Sequence, residues 1–118
     1  MLLVIADDER DTAEMLGEVI RLLVPPPVEI VFAFDGQEAL AAATGVHIPD
    51  AVIMDIEMPR MNGVVSAAGI RSALGSKAPL MIAVTGHVPL FEVVSMNGAF
   101  DHALLKPVRV ENLIPLLR

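Results

Sequence analysis

Five short apolar runs, each stopped by a polar residue, constrain this chain more than any other feature of its sequence. LLVIA (2–6) meets Asp7, VEIVFAF (28–34) meets Asp35, AVIM (51–54) meets Asp55, PLMIAV (79–84) meets Thr85 and HALL (102–105) meets Lys106. Runs this short and dense suit strands buried on both faces, as in a parallel sheet. Helical patterns fill the gaps. From Arg10 to Leu23 the apolar residues Met15, Leu16, Val19, Ile20 and Leu23 fall on one helical face, and Pro25, Pro26 and Pro27 end the helix. Asp35 and Gly36 open a second helix over QEALAAAT, closed near Gly45. A third runs from about Gly63 to Leu74, weakened by Gly69 and its small residues. A fourth spans Val88 to Gly98, with Pro89 near its start. The last covers 110 to 118, where Pro115 is expected to shorten or kink it.

Five strands alternating with five helices predict an α/β fold, a doubly wound five-stranded parallel sheet with helices on both faces. Right-handed crossovers favour the flavodoxin-like strand order 2-1-3-4-5. The 118 residues fit a single domain spanning 1–118 and leave no room for a second. In this order the first and third strands are neighbours where the winding reverses. The acids after the first strand and Asp55 after the third then meet in one crevice at the carboxyl edge of the sheet.

Composition removes several classes of function. Apolar residues make up 54% of the chain and mean hydropathy is +0.63, yet no apolar run approaches the roughly 18 residues of a membrane span. No basic lead precedes the first apolar run, so no secretory signal is expected and the cytoplasm is the default location. The absence of cysteine excludes disulfides and thiolate metal sites. A net charge of −7, with eight scattered Lys and Arg, disfavours direct binding of nucleic acid. The three histidines are not grouped as metal ligands.

Taken singly, the strand-end residues have ordinary explanations. Asp7 and Asp8 could cap the first helix, Asp55 a turn, Thr85 could bond to backbone and Lys106 could be solvated. Together they lie on one edge of one sheet. Carboxylates converging there would repel by roughly 4 kcal/mol per close pair at an effective dielectric near 20. A hard divalent cation compensates such a cluster, and Mg²⁺ is favoured because a few carboxylate or carbonyl oxygens plus waters match its octahedral habit. A carboxylate at the mouth, a metal, a lysine and a hydroxyl are together what phosphoryl transfer to a carboxylate requires.

These residues sit in PDAVIMDIEMPRMNG (49–63) with its DxxMPxxxG core, VTG ending at Gly86, LLKP (104–107) and the acidic pair Asp7 and Asp8. Over essentially its whole length the sequence resembles the receiver domain of bacterial two-component response regulators, which are CheY-like. The resemblance implies that Asp55 is the phosphoacceptor, taking its phosphoryl group from the phosphohistidine of a histidine kinase or phosphotransfer protein. It implies that Asp8, Asp55 and the backbone carbonyl of Glu57 bind Mg²⁺, with Asp7 acting through water, and that Thr85 and Lys106 contact the phosphoryl oxygens. It also implies a cis bond before Pro107. Such a domain catalyses only its own phosphorylation and dephosphorylation and signals through protein contacts.

The sequence departs from the family at Ala103, where an aromatic ring usually moves with the threonine; adjacent His102 is expected on the opposite face of the strand. VPLFEVV carries more apolar residues than one buried face needs. Helix four, strand five and helix five are therefore expected to form a partner or homodimer surface. Glu57 and His87, each two positions beyond a site residue, are expected to modulate loss of the phosphoryl group. The rival readings are an unphosphorylated pseudo-receiver, favoured by Ala103, and an aspartate-nucleophile phosphatase with Glu57 as its acid.

Overall fold

A computed structural model describes all residues, 1–118. Its elements run β1 (Leu2–Ala6), α1 (Arg10–Leu23), β2 (Glu29–Ala33), α2 (Gly36–Ala43), β3 (Ala51–Asp55), α3 (Gly63–Leu74), β4 (Leu80–Thr85), α4 (Val88–Ser95), β5 (His102–Leu105) and α5 (Val110–Leu117), with one 3-10 turn at Gly75–Lys77. All strand pairings are parallel and the order is β2-β1-β3-β4-β5. The doubly wound sheet expected from the apolar runs is the sheet observed. No helix is long and apolar enough to cross a membrane.

Period-two alternation sorts each central strand between two cores. Leu3, Ile5, Ala51, Ile53, Ile82 and Val84 face one side, where α1 and α5 bring Ala13, Ile20, Leu113, Ile114 and Leu117. Val4, Ala6, Val52, Met54, Met81 and Ala83 face the other, where α2, α3 and α4 bring Ala39, Ala43, Ala67, Ile70 and Val94. Burial on both faces explains why these runs are apolar at every position rather than at alternate ones.

Several boundaries differ from the sequence expectation. Asp55 and Thr85 are the last residues of their strands rather than the first of the loops, and Pro79, lacking an N–H, is left outside β4. β2 loses one residue at each end of the expected 28–34. The fourth helix stops at Ser95 instead of Gly98. Its carbonyls at Val93 and Val94 are taken by Met96 and Asn97, and Asn97 Oδ1 accepts from Ala99 N at 2.8 Å, turning the chain so that Phe100 re-enters the core. Pro115 lies inside α5, which continues through it to Leu117. Pro26–Pro27 and Lys106–Pro107 are both cis, and only the second had a sequence expectation.

The loop after β3 folds back on its own strand. Gly63 N donates to Ile56 O at 2.9 Å, and a Cβ at Gly63 would lie 2.5 Å from the carbonyl oxygen of Asp55. A Cβ at Gly36 would lie closer still to the carbonyl oxygen of Met61, so the loops after β2 and β3 meet backbone to backbone. Arg60, left-handed at φ 63°, pairs its guanidinium with Asp35, which is buried and also caps α2 by accepting from Glu38 N at 2.8 Å. Gly63→Ala should lower stability by about 1–3 kcal/mol, read as a lower urea midpoint at unchanged slope.

Candidate functional site

The two loops that leave β1 and β3 bring three acids together. Carboxylate oxygens of Asp7, Asp8 and Asp55 all lie within 4.8 Å of one another, with Asp7 and Asp55 buried and Asp8 exposed. Helix capping does not account for the acids. Glu9 is the N-cap of α1 and makes no side-chain cap bond, and Asp7 Oδ1 accepts instead from Glu9 N at 2.9 Å, in the turn before the helix. Asp7 is held at the sheet edge by its own N–H, bonded to Ala33 O at 3.0 Å. Asp55 is fixed by the β3 ladder and by Ile56 N, which reaches across to Val84 O at 3.1 Å.

Lys106 closes the group from the far side of the sheet edge. Its Nζ stands 3.1 Å from Asp55 Oδ2 and 3.5 Å from Asp7 Oδ2, while its backbone N–H donates to Thr85 O at 2.9 Å. Burial pushes Asp55 above the usual carboxylate range, against the pull of the Lys106 ammonium, and Asp7 adds to the upward push. Burial works against the charge on Lys106 too, but Asp55 and Asp7 outweigh it and hold the ammonium above the usual lysine range. One ammonium thus faces three carboxylates, a cluster that is short of positive charge and offers only hard oxygen ligands. That donor set fits a small divalent cation. An open cavity of about 650 Å³ lies beside the cluster, walled by Met15, Leu16 and Val19 of α1 and by Pro107, Val108 and Val110.

The other sequence candidates are placed more loosely. Glu57 is exposed at the mouth, and its N–H donates to Asp55 Oδ1 at 3.3 Å. Thr85 is buried at the end of β4, with Oγ1 accepting from His87 N at 3.1 Å. His87 does not simply flank the mouth, because its ring caps α4: Nδ1 accepts from Leu90 N at 3.3 Å. His102 is exposed, whereas Ala103 packs against the core on the α4 side, so the adjacent ring does not replace the absent one. A groove of about 470 Å³ opens there, lined by Phe91, Ala103, Leu105, Lys106, Arg109 and Asn112. Sequence reasoning missed the Arg60 to Asp35 pair, which joins residues 25 apart and leaves no local pattern to read.

Residues 3–118 match the family described as response regulator receiver domain. The chain belongs to that family. Among curated relatives, the receiver is 39% identical over 119 residues to the transcriptional regulatory protein PdtaR of Mycobacterium tuberculosis, an alignment covering 96% of this chain and 53% of that protein. It is 30% identical over 110 residues to the transcriptional regulatory protein PrrA of the same organism, covering 93% and 45%. The receiver therefore spans about half the length of the curated relatives it matches. Among solved structures, the chemotaxis protein CheY4 of Vibrio cholerae superposes with a TM-score of 0.81 at 25% identity, covering 98% of this chain and 94% of that one. The signal receiver domain of an HD domain-containing protein from Pseudomonas fluorescens gives 0.77 at 26%, covering 99% and 83%.

The raised value of Asp55 has a consequence for stability. Because the folded receiver holds this proton more tightly than the unfolded chain, stability is lost as pH rises from the ordinary carboxylate value of 3.8 through the folded one. Asp55→Asn should therefore melt higher than the natural receiver at pH 7 without divalent cation, by about 2–5 °C. Thermal melts across pH should show the two curves converging below the carboxylate range.

Proposed function

We propose that residues 1–118 act as one phosphoacceptor domain in which Asp55 receives a phosphoryl group from the phosphohistidine of a histidine kinase or phosphotransfer protein. The observation that carries this reading is the cluster itself: a buried carboxylate at a strand end, two further acids within 4.8 Å of it and an ammonium 3.1 Å away. Mg²⁺ would be held by Asp8, Asp55 and the carbonyl of Glu57, with Asp7 acting through water, and when bound it neutralises charge on the transferring oxygens. An Asp55 oxygen attacks phosphorus, the phosphorus–nitrogen bond of the donor breaks, and the imidazole leaves with the electron pair. Lys106 holds one phosphoryl oxygen by its ammonium, and Thr85 donates its hydroxyl proton to another. Water later attacks the acyl phosphate and restores the carboxylate, with Glu57 and His87 modulating that rate. The domain acts only on itself.

Incubation with Mg²⁺ and a small phosphodonor such as acetyl phosphate should add the mass of one phosphoryl group. The gain should vanish in Asp55→Asn and in the presence of excess chelator. A protein that gains no mass with any donor is an interaction module instead, the reading that Ala103 favours.

Output through protein contacts belongs to the same proposal. Val88, Val93 and Met96 of the α4 segment are exposed, as are Leu105 of β5 and Val110 of α5, while Val94 alone in α4 is fully buried. This face, built by α4, β5 and α5, supports pairing with a partner or a second copy. Sedimentation over a range of concentrations, with and without a phosphoryl mimic, should show self-association that Val93→Glu reduces.

A further inference from the structure

The turn between β4 and α4 is bonded in a way that the missing ring at position 103 makes important. Thr85 Oγ1 has one protein partner, the backbone N–H of His87, at 3.1 Å. His87 in turn holds the first turn of α4 twice. Its Nδ1 accepts from Leu90 N at 3.3 Å and its carbonyl accepts from Phe91 N at 3.0 Å. An imidazole can accept at Nδ1 only in the tautomer that carries its proton on Nε2. The Thr85 hydroxyl, accepting from His87, keeps its own proton free to donate.

Helix α4 has little else to hold it in place. It is eight residues long, buries only Val94 fully, and carries no acid in its first turn and no base in its last. On the neighbouring strand Ala103 pairs in register with Ala83 and offers no ring that could follow Thr85 inward. The hydroxyl's own bonded path out of the site therefore runs through His87 to the helix with the fewest buried residues.

We propose that His87 is a positioning residue that couples the Thr85 hydroxyl to α4, so that engagement of the hydroxyl at Asp55 shifts the turn and loosens the α4 cap. The cap takes the part that a moving ring plays elsewhere. This rests on the reading of Asp55 as phosphoacceptor. It is separate from the effect of His87 on loss of the phosphoryl group, because the coupling is exerted on the helix.

The test uses the whole chain with Mg²⁺ and beryllium fluoride, a non-covalent stand-in for a phosphoryl group on a carboxylate. Fluorine NMR reports whether the mimic is bound, and amide hydrogen exchange at Leu90 and Phe91 reports the state of α4. In the natural chain, binding should speed exchange at both amides by about fivefold, the size of one lost helix cap. His87→Ala should bind the mimic but show less than a twofold change. His87→Asn, whose side-chain oxygen also caps, should restore the response, and it keeps the test open should the alanine variant fail to fold. A bound mimic with unchanged exchange in the natural chain overturns the coupling alone, as does an undiminished response in His87→Ala. Absence of a bound fluorine signal overturns the phosphoacceptor reading and the coupling with it.

Discussion

The bridge from Lys106 Nζ to Asp55 and Asp7 is the interaction on which this site depends. Two buried carboxylates at the ends of adjacent strands repel each other, and moving both from water to a protein edge costs several kcal/mol more. Lys106 offsets part of that, and it can do so only because its backbone N–H is fixed to Thr85 O at the end of β4. The ammonium is placed by the sheet rather than by its own flexible stem. The same bond ties the residue holding the acids together to the buried residue whose hydroxyl oxygen accepts from His87 N at the start of α4.

Rigidity around the acids comes from backbone meeting backbone. Gly63 against the Asp55 carbonyl and Gly36 against the Met61 carbonyl let two loops pack backbone to backbone. Asp35 then joins them electrostatically: the backbone N–H of Glu38 and the Arg60 guanidinium hold its carboxyl below the usual carboxylate range. Arg60 accepts a left-handed backbone to reach it. These contacts lie outside the cluster of acids, yet they fix the loop that carries Glu57.

The sheet was legible because burial on both faces leaves a plain signal: LLVIA, AVIM and PLMIAV have no polar position to confuse them with amphipathic helices. The site followed from the strand order, since it makes β1 and β3 neighbours and so brings Asp7, Asp8 and Asp55 together. The strand ends were less legible, because whether Asp55 or Thr85 still joins a ladder is decided by the neighbouring strand. The end of α4 depended on the competition between Asn97 and the helix for backbone groups, which an apolar run does not reveal. Arg60 to Asp35 and the His87 cap were invisible for different reasons. The first joins distant segments, and the second uses a residue that is rarely read as a cap.

That Asp55 belongs to the β3 ladder, between β1 and β4, divides the molecule by the kind of opening that can expose its parts. Amides in a central strand exchange with solvent only when the whole sheet comes apart, whereas a short helix holding one buried side chain exchanges by local fraying. The edge that carries the acids therefore lies in the part of the protein that opens only globally, and α4 in a part that opens locally. Thermal fluctuation can rearrange the outer face many times within the lifetime of one folded sheet, without ever loosening the carboxylate at its centre.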